Sequence, residues 1–168
     1  YSFPFEDIAK ELYRVTKEGG VVVWVVADAT INGSESLTSF KQAIYFVEKC
    51  GFNLHDTMIY DAKKPPLTHN RYEQSFEYMF VFSKGKPKTF NGIMEKKEYQ
   101  DNRTDKNVRR EKDGGSDNGY CKQTDTRLRY NIWKYATGGG VSSPDAIAFQ
   151  HPAIFPEKLA AEHIYSWS

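Results

Sequence analysis

The sequence has very little cysteine and no long apolar run, and each absence excludes a class of protein. Cys50 and Cys121 are the only two cysteines in 168 residues, too few for a disulfide framework, which favours a reducing cytoplasm. The longest apolar run, Val21 to Ala27, is far shorter than the ~18 residues of a membrane helix. No basic region followed by an apolar one begins the chain, so we expect a soluble, cytoplasmic protein without a signal peptide.

Metal-ligand spacing and an excess of one charge are also missing. The four histidines are widely separated, whereas His and Cys ligands recur at short spacings, so we expect no metal site. Lys and Arg (23) almost balance Asp and Glu (22), which leaves a net charge of +1. Nucleic-acid binding would therefore depend on a local surface.

The first ninety residues alternate helical and strand patterns. Helical periodicity predicts helices over residues 4–18 and 36–50. The stripe of the second helix that we expect to face the core consists of Leu37, Phe40, Ile44 and Val47. Strands are predicted over residues 21–26, 52–60 and 76–82.

These patterns predict an α/β fold with half of a doubly wound, Rossmann-like sheet. The strand 21–26 is apolar on both faces, which is typical of the middle of a parallel sheet. No helix separates the last two strands, so the third should be antiparallel to the second. The polar stretch that starts at Asp28 then lies where ligand sites gather in such sheets.

From residue 95 to 126 apolar residues are scarce and both charge signs are dense. Such a stretch buries too little surface to offset its ordering entropy, so we expect mobility. It is either a solvated surface insertion or a DNA-contacting segment in which Arg109 and Arg110 neutralise phosphates. We expect ordered structure again from Arg127, followed by a flexible glycine segment at 138–140 and a last helix that extends to about Trp167.

Three segments resemble the amino-DNA-methyltransferases of bacteria and phages in their β-type motif order. They are Phe5 to Val26, a helix-plus-strand unit; Arg71 to Lys86 (RYEQSFEYMFVFSKGK); and His151 to Trp167 (HPAIFPEKLAAEHIYSW). The third is the most specific. The resemblance covers most of the chain outside residues 95–126.

The resemblance implies transfer of a methyl group from S-adenosylmethionine to the exocyclic amino group of a base flipped out of duplex DNA. Adenine is favoured over cytosine, and a restriction endonuclease is a possible partner. Two motifs of the family are missing, the Asp/Asn/Ser-Pro-Pro-Tyr/Phe catalytic loop and the Gly-rich cofactor loop. We therefore expect an internal segment of a larger enzyme, inactive alone and without catalytic residues of its own.

The resemblance also implies a domain organisation. Residues 1–90 would form half of the methyltransferase core, and residues 91–135 a target-recognition or insertion segment. Residues 136–168 would hold a cofactor-pocket segment and the helix that leads to the Gly-rich loop. The alternative is a non-catalytic DNA-binding or interaction module with a half-Rossmann fold, which the absent loops leave open.

The predicted cofactor contacts lie in two places. By the resemblance, His151, Pro152, Ala153 and Phe155 line the methionine end of the cofactor pocket. The structural alternative is a proline-shaped turn with Phe155 in the core. Asp28 either approaches the cofactor or caps a turn, and we favour the cap.

The predicted DNA contacts are Arg71, Tyr72, Arg109, Arg110, Arg127, Arg129 and Lys134. In the family an aromatic residue near Tyr72 is often presented to the flipped base, where stacking contributes about 1–3 kcal/mol; an exposed hairpin loop is the alternative. Around residues 127–134, cations mixed with aromatics suit DNA. For Trp133 we favour inward packing instead.

Overall fold

The computed structural model describes residues 3–62, 70–98, 106–110, 116–120, 124–135, 142–150, 154 and 156–168, and for 106–110, 116–120, 146 and 149 it describes the backbone alone. The chain divides into two compact units. Residues 1–91 with 130–168 form the sheet unit, and residues 92–129 form the hairpin unit. None of the helices in the described ranges is long and apolar enough to cross a membrane.

The helices are α1 (Phe5–Val15), α2 (Thr38–Tyr45) and α3 (Glu157–Trp167). A π-helical turn (Phe46–Cys50) continues α2, and a 3-10 turn spans Ala146–Gln150. The strands are β1 (Val21–Val26), β2 (Thr30–Ile31), β3 (Ser34–Glu35), β4 (Asn53–Asp61), β5 (Phe76–Ser83), β6 (Met94–Lys96), β7 (Lys106–Arg110), β8 (Ser116–Tyr120), β9 (Thr126–Leu128) and β10 (Ile132–Lys134).

The sheet unit is built on a mixed sheet with the order β1-β5-β4-β10 among the described residues. β1 and β4 both pair antiparallel with β5, and β10 pairs parallel with β4. β1 and β4 therefore run in the same direction, as expected for strands joined through a helix. The antiparallel pairing of β4 with β5 confirms the predicted hairpin.

The predicted position of β1 in the middle of a parallel sheet is wrong for the described part of the chain. There β1 pairs with β5 alone, antiparallel, and its six residues are all half-buried. β5 lies between β1 and β4 instead, and it is the most buried strand, with Met79, Val81 and Phe82 at 0% exposure. The apolar sequence of a strand indicates that both faces of the strand are buried, but it does not indicate which other strands pair with it.

One face of this sheet is covered by α1 and α2 through an aromatic core. Its fully packed members are Ala9, Ala43, Phe46, Phe52, Phe80 and Phe82. The Phe46 and Phe82 rings stack with centroids 4.5 Å apart. The indole N–H of Trp24 donates to Oε1 of Gln42 at 2.8 Å, which ties β1 to α2.

The predicted inward stripe of α2 is wrong. Leu37, Phe40, Ile44 and Val47 are between 38% and 55% exposed, whereas Ser39, Ala43 and Phe46 are buried. The helix is rotated because the small Ser39 and Ala43 allow it to approach the sheet closely and Phe46 fills the space beside Phe82. Gly51 ends the π-helical turn in the left-handed region (φ 94°), as predicted, with Tyr13 packed beside it.

The other face of the sheet is covered by α3. Met79 lies on this face because its neighbour Phe80 points into the aromatic core and successive strand residues alternate. α3 buries Leu159, His163 and Ser166. The predicted inward position of Ile164 is wrong, since that side chain is 64% exposed.

The hairpin unit consists of paired strands. β6 pairs antiparallel with β9, and β7 pairs antiparallel with β8. Oε1 of Glu95 on β6 forms an ion pair with Nη2 of Arg127 at 2.8 Å, and Oε2 of Glu95 lies 3.6 Å from Nε of Arg129. These contacts join the two strands of the first hairpin across their register.

Candidate functional site

Strand direction gathers one group of polar side chains at a common edge of the sheet. β1, β4 and β10 run the same way, so they all end at this edge, and the antiparallel β5 begins there. Ligand sites in open α/β sheets form at the carboxyl ends of strands. We call the edge at which β1, β4 and β10 end the carboxyl edge. It consists of residues 27–37, 61–62, 70–75 and 134–135.

Asp28 caps α2 at this edge. Its Oδ1 accepts the backbone N–H of Ser39 at 3.1 Å and the hydroxyl of Ser36 at 3.0 Å, and the Ser39 hydroxyl donates to Oδ2. Partial burial raises the pKa of Asp28, but the hydrogen bonds from Ser39 and Ser36 outweigh it and hold the pKa below its usual value. The capping interpretation is confirmed, and the carboxylate is held ionised.

A short hairpin of β2 and β3 projects beyond Asp28. Its turn residues Asn32 and Gly33 both have positive φ, 49° and 80°, which is typical of the tight two-residue turn that an Asn-Gly pair favours. The guanidinium of Arg71 donates to the carbonyl of Gly33. Arg71 therefore links this hairpin to the loop before β5, where Tyr72 is fully exposed.

Lys134 lies at the far end of the same edge. Its Nζ is 3.3 Å from Oδ2 of Asp61, and the lysine is 78% exposed. β10 and β1 are separated by two strands, so Lys134 and Asp28 lie three strand spacings apart, roughly 14 Å. The structure thus places these two predicted residues on one edge without direct contact.

A cavity of about 390 Å³ opens beside Lys134. It is lined by Lys134, Tyr135, Ser142, Pro144, Pro156, Glu157 and Lys158. Polar contacts shape its wall, since Ser143 donates to Oε1 of Glu157 and Tyr135 donates to Oε2 of Glu162 at 2.6 Å. Cations and a carboxylate therefore face one space, of a size typical of small-molecule sites.

The predicted site residues near the C-terminal helix and on β7 are outside the described side chains. His151, Pro152, Ala153 and Phe155 lie outside the described residues, although Pro156 and Glu157, which follow them directly, line this cavity. Arg109 and Arg110 are placed by backbone only, as residues of β7.

Arg127 and Arg129 are described fully, and both are engaged with Glu95. Their side chains are only 26% and 25% exposed. An internal ion pair weakens the field that an arginine offers to a phosphate. The predicted packing of Trp133 is confirmed, since it is 6% exposed.

Sequence reasoning missed His163, which is buried on the α3 face. Its ring stacks on Trp133 with centroids 4.4 Å apart, and Nε2 lies 3.3 Å from Sδ of Met79. Burial lowers the pKa of His163 to about 4, against a smaller opposing effect of Glu162. Its position four residues after Leu159, on the same side of the predicted helix, was the available signal.

His163 also borders a second cavity, of about 480 Å³, between β1 and α3. The lining is mainly apolar and includes Val21, Val23, Leu159 and Trp167. Nδ1 of His163 and Nε1 of Trp167 are buried without a hydrogen-bond partner among the described atoms. Among all the residues that the structure describes, no group of three or more His, Cys, Asp or Glu side chains could hold a metal ion.

A family model described as "DNA methylase" matches residues 1–168, the whole of this chain. The chain belongs to this DNA methylase family. Its mixed sheet, aromatic core and C-terminal helix are therefore parts of a DNA methylase fold, as the resemblance of the three sequence segments predicted.

Two curated relatives support the assignment. The chain is 54% identical over 173 residues to the orphan methyltransferase M.BamHII of Bacillus amyloliquefaciens, covering 100% of this chain and 65% of that protein. It is 29% identical over 106 residues to the type II beta methyltransferase M.BslI of Bacillus sp. (strain NEB-606), covering 51% of this chain and 12% of that protein. The chain thus spans less than two thirds of the length of either relative.

Solved structures show a more distant likeness. TTHA0409 of Thermus thermophilus, named as a DNA modification methylase, matches 52% of this chain and 37% of its own with 20% identity and a TM-score of 0.38. The same protein complexed with S-adenosyl-L-methionine matches the same shares with 19% identity and a TM-score of 0.39.

Proposed function

We propose that this chain forms part of an S-adenosylmethionine-dependent DNA methyltransferase that modifies an exocyclic amino group, with adenine as the favoured base. The observation that carries the proposal is the match of the DNA methylase family to all 168 residues. The 54% identity to M.BamHII, named as a methyltransferase, supports it. Reaching an amino group inside the stack requires flipping of the base.

The cofactor would occupy the cavity beside Lys134. S-adenosylmethionine carries a carboxylate, an ammonium and a sulfonium, and the cavity offers both charge signs through Lys134, Lys158 and Glu157. The residues present therefore fit the group. When bound, it supplies an activated methyl for transfer.

The proposal extends to the cofactor contacts expected from sequence. His151, Pro152, Ala153 and Phe155 directly precede two residues of the cavity wall. Asp28 acts by fixing the N-terminus of α2 at the carboxyl edge.

Duplex DNA would meet the carboxyl edge at its other end. Arg71 and Tyr72 are exposed there, and the hydrogen bond from Arg71 to Gly33 holds the two loops together. Tyr72 offers a fully exposed ring for stacking on a base. In the hairpin unit, Arg127 and Arg129 would be secondary contacts, because both pair with Glu95, whose carboxylate offsets one of their two positive charges.

The decisive experiment expresses the gene that carries this chain in a host free of DNA methylation. Mass spectrometry of the digested DNA should detect N6-methyladenine. Detection of N4-methylcytosine alone would support a DNA methyltransferase and would contradict the assignment of adenine as its target base. The absence of both, with stable protein present, would contradict the proposal.

The 168-residue chain alone should neither methylate DNA nor bind S-adenosylmethionine tightly. The motifs expected to position the target base and the cofactor do not occur in its sequence. Titration calorimetry should show no binding at low-micromolar cofactor. Binding in that range would mean that the cavity beside Lys134 is sufficient without a Gly-rich loop.

Two further points follow from the proposed activity. A DNA-modifying enzyme of a bacterium would act in the cytoplasm. The expectation of a restriction endonuclease partner has less support than the DNA substrate, because the relative M.BamHII is named as an orphan methyltransferase. The alternative of a non-catalytic DNA-binding module would give DNA binding without any methylated base in the experiment above.

A further inference from the structure

The two chain segments that flank the hairpin unit both contact α3. The hairpin unit spans residues 92–129, so the chain leaves the sheet unit after Asn91 and re-enters it at Tyr130. Asn91 contacts the last turn of α3, and Trp133 and Tyr135 contact its middle. The same helix is therefore tied to the chain on both sides of the hairpin unit.

Asn91 caps the C-terminus of α3. Its backbone N–H donates to the carbonyl of Ser166 at 2.8 Å, and its side-chain Nδ2 donates to the carbonyls of Tyr165 at 2.9 Å and Ser168 at 3.2 Å. The last carbonyls of a helix have no intrahelical donor, so they need partners from elsewhere. Here the partner lies 74 positions before Tyr165 in the sequence.

Tyr135 holds the middle of α3. Its hydroxyl donates to Oε2 of Glu162 at 2.6 Å, and the nearby ring of Trp133 stacks on His163 with centroids 4.4 Å apart. The side chain of Glu162 is 16% exposed, and its Oε1 lies 3.8 Å from Nζ of Lys158. A hydrogen bond to a carboxylate is stronger than one between neutral groups. Tyr135 therefore fixes α3 close to the cavity of about 390 Å³ that Tyr135 and Lys158 line.

We propose that Asn91 and Tyr135 are positioning residues that couple the binding of DNA to the binding of the cofactor through α3. The inference rests on the proposed function, with the cofactor in the cavity beside Lys134. Glu157 and Lys158, in the first turn of α3, line that cavity. Asn91 holds the other end of this 11-residue helix, about 16 Å away.

The coupling follows from the cost of fixing α3. A duplex that orders the segments on either side of the hairpin unit also orders the helix that these segments hold. The cofactor then loses less conformational entropy when it binds against the first turn of that helix. Cofactor and duplex should therefore bind more tightly together than either binds alone, and each should strengthen the other by the same factor.

The sheet unit offers a matched control for each residue. Asn53 also donates a side-chain amide to a backbone carbonyl, that of Gly85 at 3.3 Å, and like Asn91 it is exposed. The hydroxyl of Tyr45 also donates to a glutamate, Oε2 of Glu6 at 3.2 Å, and it joins α2 to α1. Both bonds lie between elements other than α3.

The test compares Asn91→Ala, Tyr135→Phe, Asn53→Ala and Tyr45→Phe in the intact methyltransferase that carries this chain. The cofactor probe is S-adenosylhomocysteine, which has no methyl group to transfer. Titration calorimetry gives its Kd with and without a duplex that carries the sequence methylated in the experiment above. The ratio of the two constants is the coupling factor, and the reverse titration of duplex must give the same factor.

In the parent protein we expect a coupling factor of about ten. It should fall to about two in Asn91→Ala and in Tyr135→Phe and stay at about ten in both controls. Asn91→Gln keeps an amide donor and should recover part of the factor. A partly unfolded variant would show a larger factor, because the first ligand stabilises the fold for the second. A smaller factor therefore reports positioning and not a loss of stability.

Hydrogen exchange tests the role of α3 directly. In the parent protein, the backbone amides of α3 should exchange more slowly when the duplex is bound, because the opening of the helix then costs more free energy. In Asn91→Ala this added protection should be lost.

The outcomes distinguish this inference from the proposed function. The coupling role is wrong if a parent that methylates DNA shows a factor of about one, or if the duplex leaves the exchange of α3 unchanged. It is equally wrong if Asn91→Ala or Tyr135→Phe keeps the factor of the parent, or if the controls lower it as much. In each of these cases the methyltransferase remains. A parent protein that neither binds nor methylates DNA overturns both.

Discussion

The two faces of the central sheet are covered to different degrees. On the α1 and α2 face, aromatic rings contact one another, and the indole of Trp24 donates to Gln42. On the α3 face, a cavity of about 480 Å³ remains beside β1, and Nδ1 of His163 and Nε1 of Trp167 lack described hydrogen-bond partners. Packing density thus differs across a single layer of strands, so stability should depend mainly on the aromatic face.

The largest expected effect tests that difference at Phe46. Phe46→Ala should lower the free energy of unfolding by about 3–5 kcal/mol, because it leaves a cavity in a ring cluster. Urea unfolding measures it. Ile44→Ala is the control, since Ile44 is 55% exposed and should change stability by less than about 1 kcal/mol. Equal losses would mean that α2 presents its sequence-predicted stripe to the core.

A smaller effect should appear on the α3 face as the pH falls. The pKa of His163 is about 4 in the folded chain, below its unfolded value of 6.5. The unfolded state therefore binds the proton more tightly, so stability is complete above pH 6.5 and is lost as the pH falls toward 4. The loss should be about 2 kcal/mol between pH 8 and pH 5.

Urea titrations at these two pH values measure that loss. His163→Leu should remove most of the pH dependence, whereas the exposed His55→Gln should retain it. A pH profile that is the same in the His163→Leu variant would show that other groups titrate.

The cap on α2 should contribute about 1–2 kcal/mol. Asp28→Ala removes the acceptor of the Ser39 N–H and hydroxyl, while Asp28→Asn keeps an oxygen in place and should recover part of the loss. Thermal unfolding measures both. Glu35→Ala, on the exposed hairpin, is the control and should have no effect. Loss of stability only in the Asn variant would contradict the cap.

The smallest effect compares one tryptophan from each face. Trp24→Phe removes an N–H that donates at 2.8 Å, whereas Trp167→Phe removes an N–H without a described partner. The first variant should be less stable than the second by about 1 kcal/mol, the usual net value of one hydrogen bond. The reverse order would indicate that Trp167 Nε1 has an acceptor in solution.

Much of the local structure could be predicted because it follows from periodicity and turn chemistry. The bounds of β4, β5 and α3 agree closely with the predicted segments. Gly51 ends α2 and its π-helical turn where a left-handed cap was expected. The family resemblance rested on the same short-range patterns.

The residues that line the sites could be predicted only in part. Asp28 was correctly expected to cap a turn, but the pairing of Arg127 and Arg129 with Glu95 joins residues more than thirty positions apart. No local pattern indicates such a pair, because it depends on the register of β6 with β9.

The sequence by itself determined which segments become helices and strands, since backbone preference and side-chain period act within a few residues. Tertiary structure decided which face of α2 is buried and which strand lies between β1 and β4. It also decided that His163, and not Ile164, turns inward. These outcomes depend on how distant side chains share one close-packed volume, and only the folded chain brings those side chains together.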